Sequence, residues 1–188
     1  MRIKQIILLS IVSLFLLSCE EGNIDLDNAG DDDLQVQIDE VKLNMPANSY
    51  KNISLEPGLH TLVIQDASGK VLDETRFKVE QGGLINLAKA PYVVWTELYG
   101  STNLRKEKLK LDYYEIETED GKQRIWGEFE KIEPEDFYVE QTWDYGLDQP
   151  FEDHLWRLDL IQDKYVIMRK IFREIELLEE YKALQEKQ

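Results

Sequence analysis

Apolar and polar residues alternate with a period of two along much of the region from residue 34 to residue 103. Such alternation places successive side chains on opposite faces of a strand, so one face is buried and the other faces water. Strand patterns of this kind occur at 34–38, 53–55, 60–64 and 71–79, and 90–99 continues them with the β-rich run 92–96. Several short strands at this spacing predict an antiparallel, sandwich-like β region over residues 34–103.

Residues with strong turn preference separate these runs. Pro57-Gly58 ends one strand, because proline presets φ and glycine permits positive φ, and the segment 66–69 provides a second turn. The segment 81–83, Gln-Gly-Gly, is expected to break the third strand. His60 follows the first turn and is predicted to be a hydrogen-bonded imidazole at a strand edge, with a ligand or catalytic role as the alternative.

Strand patterns continue in residues 104–188. The pair Asp120-Gly121 lies between alternating runs at 109–116 and 123–129 and predicts a hairpin. A second hairpin is expected from 156–160 and 165–168.

The period changes near the C-terminus. From about Arg169, the residues Ile171, Ile175 and Leu178 fall on one helical stripe, which predicts an amphipathic C-terminal helix. The fold class is therefore mainly β, α+β overall: a sandwich-like region, further hairpins and one C-terminal amphipathic helix. Regions 34–103 and 104–188 are either two small units or one continuous domain.

The N-terminus has the layout of an export signal. A short basic start is followed by an apolar run from Ile6 to Leu17 and by Ser18 and Cys19. The run is too short for a membrane-spanning helix, so residues 1–18 are predicted to be a signal peptide.

The residues Leu16-Leu17-Ser18-Cys19 resemble the lipobox of bacterial lipoproteins. This resemblance implies that the signal is cut after Ser18 and that Cys19 carries a thioether-linked diacylglycerol. It also implies a lipid-bilayer partner and a location in the outer membrane of a Gram-negative bacterium, on its periplasmic or cell-surface face. The alternative is an ordinary signal peptide that contains a cysteine.

Residues 19–33 are predicted to form a lipidated acidic tether. The stretch from 20 to 33 contains seven acidic residues and no basic one, a composition that favours a solvated, flexible spacer. Two alternatives remain open. Asp25, Asp27 and Gly30 match part of an EF-hand calcium loop, and Glu20 and Glu21 resemble export tags of surface lipoproteins.

The run from residue 53 to residue 79, with its Pro57-Gly58 and Gly69 turns, resembles the small immunoglobulin-like sandwiches of bacterial envelope proteins, including PEGA-type domains. The resemblance covers about a third of the chain. It implies an extracellular scaffold or adhesive module and transfers no catalytic residue.

Composition narrows the function classes further. The net charge of −16 argues against a nucleic-acid partner, since phosphates require clustered Lys and Arg. The single cysteine excludes an internal disulfide and a multi-thiolate metal site. The chain contains no hydrolase, zinc-protease, nucleotide or dinucleotide motif, and neither a cofactor nor a metal site is predicted.

The segment from residue 137 to residue 154 is the best candidate site. Trp143 and Tyr145 could form an aromatic shelf for a sugar or peptide, with Asp144 and Asp148 as hydrogen-bond acceptors. Two alternatives are a packed connection and a hydrolase that uses the carboxylates of 144–153. The sequence therefore predicts a non-catalytic binding, scaffold or assembly lipoprotein, with an envelope protein or a glycan as partner.

Overall fold

The computed structural model describes residues 22–100, 102–118, 121–133, 135, 137–150 and 165–186. Within these residues the chain forms twelve strands and two helices, so the predicted mainly β class is confirmed. The strands are β1 Gly22–Asn28, β2 Leu34–Ile38, β3 Val41–Met45, β4 Ser49–Leu55, β5 Gly58–Asp66, β6 Val71–Val79, β7 Gly83–Asn86, β8 Tyr92–Tyr99, β9 Asp112–Thr118, β10 Gly121–Ile132, β11 Tyr138–Glu140 and β12 Val166–Arg173. The helices are α1 Thr102–Lys108 and α2 Glu174–Glu186.

The strands form three four-stranded sheets. The outer sheet has the order β3-β2-β5-β6, the middle sheet β11-β7-β1-β4 and the third sheet β12-β8-β10-β9. The strand pairs are antiparallel except for β1 and β7, which run parallel. The middle and third sheets each combine strands from 34–103 with strands from 104–188, so the two predicted regions share their sheets.

Three apolar clusters show how these layers stack. The first joins the outer sheet to one face of the middle sheet, through residues such as Leu62 and Leu26. The second joins the other face of the middle sheet to the third sheet, through Leu84 and Val94. The third lies between the third sheet and α2 and includes Leu177. The order of layers is therefore outer sheet, middle sheet, third sheet and helix.

β1 corrects the prediction of a flexible spacer for residues 22–28 of the segment 20–33. Ile24 and Leu26 are fully buried, and β1 pairs with β4 on one side and with β7 on the other. The acidic composition suggested solvation, but these two side chains fill the core while the backbone is hydrogen-bonded at both edges. The EF-hand alternative is also wrong, because Asp25 and Asp27 lie in this extended strand and Asp27 binds Arg173.

The predicted break of the third strand at 81–83 is confirmed, since β6 ends at Val79, but the last residue of the segment already belongs to the next strand. Gly83 begins β7 and is buried, with neighbours on both sides from β1 and β11. A Cβ atom at Gly83 would lie 2.5 Å from the carbonyl oxygen of Val139. Glycine therefore permits a close strand approach at this position and does not end the sheet.

The C-terminal helix exists but begins later than predicted. Residues 169–173 belong to β12, and α2 starts at Glu174, whose backbone N–H donates to the carbonyl of Pro91. The predicted stripe is consequently wrong. Ile171 is a buried strand residue and Ile175 is 83% exposed, whereas Leu177 is fully buried.

Most strands predicted over 34–99 are confirmed, with β3 and β7 as additions. The Asp120-Gly121 hairpin prediction is confirmed by the register that places Gly121 opposite Thr118. The short helix α1 was not predicted. The run 156–160 of the second predicted hairpin lies outside the described residues. Among those that are described, no helix is long and apolar enough to cross a membrane.

Candidate functional site

The two rings of the predicted aromatic shelf, Trp143 and Tyr145, lie in different environments: one in the core and the other at the edge of the third sheet. Trp143 is 5% exposed and belongs to the cluster between the middle and third sheets. Tyr145 is half-buried and forms a parallel bridge with Lys170 on the outer edge of β12. Its backbone carbonyl accepts from the N–H of Ile171. The segment around these rings therefore extends the third sheet beyond β12.

The two predicted acceptors, Asp144 and Asp148, have different surroundings. Asp144 is exposed, and its carboxylate accepts the backbone N–H of Arg169 at 2.8 Å. Its own N–H donates to the carbonyl of Arg169, also at 2.8 Å. Asp148 is exposed and lies close to Asp25 of β1. The remaining carboxylates of the hydrolase hypothesis, in 151–154, lie outside the described residues.

Asp25 and Asp148 approach each other over Gly146. Oxygens of the two carboxylates would lie 3.3 and 3.6 Å from a Cβ atom built at Gly146. Burial raises the pKa of Asp25, the hydrogen bond from Asn52 at 3.0 Å opposes this rise, and the charge of Asp148 adds to it. This pair could not be predicted from the sequence, because its members are 123 residues apart and Asp25 lies in the segment predicted to be a spacer.

Lys170 is a buried cation that fastens the same segment to β12. Its Nζ donates to the backbone carbonyls of Gly146, Leu147 and Gln149, at 3.2, 3.4 and 2.5 Å. It also lies 4.5 Å from the centre of the Phe172 ring. Burial lowers the pKa of Lys170, while nearby carboxylates oppose this shift. All three ammonium donors therefore have protein acceptors.

A second buried charge connects the middle sheet to the third. The guanidinium of Arg173 donates to both carboxylate oxygens of Asp27, at 3.0 and 2.5 Å, and to Glu176 at 3.2 Å. The Tyr92 hydroxyl donates to the same carboxylate. Burial and the charge of Asp27 raise the pKa of Tyr92, so its hydroxyl stays protonated and remains a donor. Asp27 is fully buried, so the group ties β1 to β8 and β12.

The prediction of a hydrogen-bonded imidazole at His60 is confirmed. Its Nδ1 lies 2.7 Å from the carboxylate of Asp39, and its Nε2 lies 2.8 Å from the carbonyl of Glu56. Both partners are acceptors, so the arrangement favours the doubly protonated ring. Burial lowers the pKa of His60, but the two hydrogen bonds outweigh it and the net shift is upward.

One aromatic pair lies at the surface, outside the predicted segment. Tyr113 and Trp126 are directly opposite on β9 and β10, with ring centres 4.6 Å apart. They are 61% and 42% exposed. The exposed Arg124–Glu115 ion pair is two residues along the same face. The alternation in 109–116 and 123–129 predicts the hairpin but does not tell its exposed face from its buried one, so the sequence did not identify this pair.

Across the described ranges, no three His, Cys, Asp or Glu side chains are grouped as a metal site would require. Cys19, the predicted acylation site, precedes the described part of the chain. No protein family, curated protein or solved structure matches the chain.

Proposed function

We propose that this protein is a non-catalytic binding, scaffold or assembly module, anchored in the outer membrane of a Gram-negative bacterium through acylated Cys19. The lipobox-like residues 16–19 and the signal layout before them support the anchor. Three acyl chains would hold it durably, because each buried methylene contributes about 0.8 kcal/mol and one chain alone binds marginally.

The observation that carries the non-catalytic assignment is that the buried ionisable side chains are engaged in contacts within the fold. Asp27 binds Arg173 and Tyr92 through both carboxylate oxygens, and Lys170 donates to three backbone carbonyls. A general acid or base must present its proton or lone pair to a substrate. The Asp27 group instead joins the middle sheet to the third, and Lys170 fastens the segment 146–149 to β12, which supports a structural role.

Metabolic labelling with a fatty-acid analogue tests the anchor. The wild-type chain should incorporate the label and fractionate with membranes, and the Cys19→Ala variant should do neither. Ser18→Ala is a matched control, since a small residue still precedes the cysteine and labelling should persist. Equal labelling of the wild type and Cys19→Ala would overturn the proposed anchor.

A glycan- or peptide-binding role is the second candidate, and the exposed Tyr113–Trp126 pair is the observation that favours it. Exposed aromatic rings beside hydrogen-bonding side chains suit the apolar faces of sugars. Tryptophan fluorescence titrated with soluble glycans should respond in the wild type and lose that response in Trp126→Ala. Tyr50→Ala, which removes an exposed ring on β4, is the control. A response that survives in Trp126→Ala would exclude this pair as the binding surface.

A further inference from the structure

The distance between Cys19 and the first strand limits how far the fold can lie from its anchor. β1 begins at Gly22, three residues after Cys19. Consecutive Cα atoms are about 3.8 Å apart, so the Cα atoms of these two residues lie within about 11 Å of each other. A fourteen-residue spacer, as the composition suggested, would reach about 48 Å at about 3.4 Å per residue.

Gly22 lies at one defined end of the stacked sheets. It pairs with Leu55, after which the chain turns through Glu56 and Pro57 into β5. A Cβ atom at Gly22 would lie 2.9 Å from the carbonyl oxygen of Gln81, so the β6–β7 connection is at the same end. We call this end, formed by 56–57, 81–82 and Glu140, the anchor-proximal end.

The opposite end is far beyond the reach of the anchor. β5 runs nine residues away from the anchor-proximal end, from Gly58 to Asp66. At about 3.3 Å per residue, its two ends are about 26 Å apart. The turn that follows, 66–69, is exposed at Ala67 and Ser68.

We propose that the anchor-proximal end rests directly against the lipid headgroups, so that the fold stands end-on at the bilayer surface. This inference rests on the proposed acylation of Cys19. A bilayer is about 40–45 Å thick around a hydrocarbon core of about 30 Å, which leaves about 5–7 Å for each headgroup layer. Three residues can cross that layer but leave only a few ångströms beyond it.

Three polar side chains at the anchor-proximal end fit the headgroup layer and not the hydrocarbon. Glu56, Gln81 and Glu140 are all exposed there. Charged carboxylates remain hydrated, and they are repelled by anionic lipids. The partner surface is therefore a zwitterionic headgroup layer, contacted by the end of the sheets without insertion.

Energy transfer to a headgroup-labelled lipid tests this orientation. Donor dyes would be attached to full-length, acylated Glu56→Cys and Ala67→Cys variants in phosphatidylcholine vesicles. Cys19 would not compete for the dye, because its thiol would be in a thioether. Transfer should be several-fold more efficient from the Glu56→Cys label than from the Ala67→Cys label. Inserting twelve Gly and Ser residues between Glu21 and Gly22 should strongly reduce that difference.

The outcomes separate the orientation from the anchor. Intact mass establishes acylation, and loss of vesicle binding in Cys19→Ala establishes that the anchor is used. An unacylated chain would overturn the proposed anchor and the orientation with it. An acylated, vesicle-bound chain whose two labels transfer equally well would overturn the end-on orientation alone.

Discussion

The Asp27–Arg173 pair allows a quantitative prediction about stability. Arg173→Met removes two hydrogen bonds to a carboxylate that is fully buried, while the Arg173 side chain itself is only 10% exposed. Removing one partner of a buried pair costs about 3–5 kcal/mol, because the remaining charge has lost its compensation. Tyr92 still donates to Asp27, so we expect the lower part of this range.

Urea unfolding followed by tryptophan fluorescence measures this loss. With a slope of about 2 kcal/mol per molar urea, a loss of about 3 kcal/mol lowers the midpoint by about 1.5 M. Arg124→Met is the matched control, because Arg124 contacts Glu115 at 2.8 and 2.5 Å but both side chains are exposed. It should cost less than about 1 kcal/mol.

A double variant distinguishes a lost contact from an uncompensated charge. Asp27→Asn with Arg173→Met leaves no buried charge and retains an oxygen that can accept from Tyr92. It should therefore be more stable than Arg173→Met alone. Equal losses in Arg173→Met and Arg124→Met, or a double variant as unstable as the sum of its single changes, would refute this reasoning.

Three further predictions concern other parts of the fold. Lys170→Met removes the ammonium donor from three partly buried carbonyls, so amide hydrogen exchange in 146–149 should accelerate. Unchanged exchange would contradict the role of the ammonium. Folding raises the pKa of His60 and lowers the pKa of Asp39. The His60–Asp39 pair therefore stabilises the fold between the pKa values of the two groups in the unfolded chain, about 3.8 for Asp39 and 6.5 for His60. This stabilisation is lost as the pH rises through the folded-state pKa of His60 or falls through the folded-state pKa of Asp39. Urea midpoints at about pH 6 and about pH 8 should differ less in His60→Gln than in the wild type, and an equal difference would contradict this assignment. Gly83→Ala places a methyl group against the Val139 carbonyl and should destabilise the fold by at least about 1 kcal/mol, measured by thermal unfolding. An unchanged unfolding temperature would contradict this prediction.

The period-two alternation predicted the outer sheet well because that sheet has one wet face. Val36 and Leu62 point into the core, while Gln35 and Lys78 lie on the solvent side. Strands β2, β5 and β6 therefore carry the pattern within their own sequences, whereas β3, an edge strand whose Val41 is 58% exposed, was not predicted. The turn at 66–69 was also predicted correctly, because it needs a residue that tolerates positive φ and the sequence has glycine there: Gly69 adopts a φ of 86°.

The central strands of the middle and third sheets were harder to predict because neighbouring layers bury both of their faces. In β12, Phe172 belongs to the cluster beside α2 and Ile171 to the cluster beside the middle sheet. Because neither face of β12 is exposed to solvent over residues 170–173, its sequence lacks a clear period of two there, and the pattern of residues 169–173 is equally compatible with a helix. Asp27 could not be predicted as a core residue either, because its cationic partner is 146 positions away.

Because the chain is synthesised from its N-terminus, β1 is made long before the residues that it contacts in the folded protein. Asp27 precedes Arg173 by 146 residues, a delay of roughly 7–30 s at about 5–20 residues per second. Until β7 (Gly83–Asn86) is made, Ile24 and Leu26 lack their final neighbours from that strand, and an unpaired apolar strand can join another chain. Charged residues in or beside an apolar strand oppose its association with other chains, and β1 contains the carboxylates of Asp25 and Asp27. We therefore expect the acidity that made β1 resemble a spacer in the sequence to disfavour aggregation of the nascent chain.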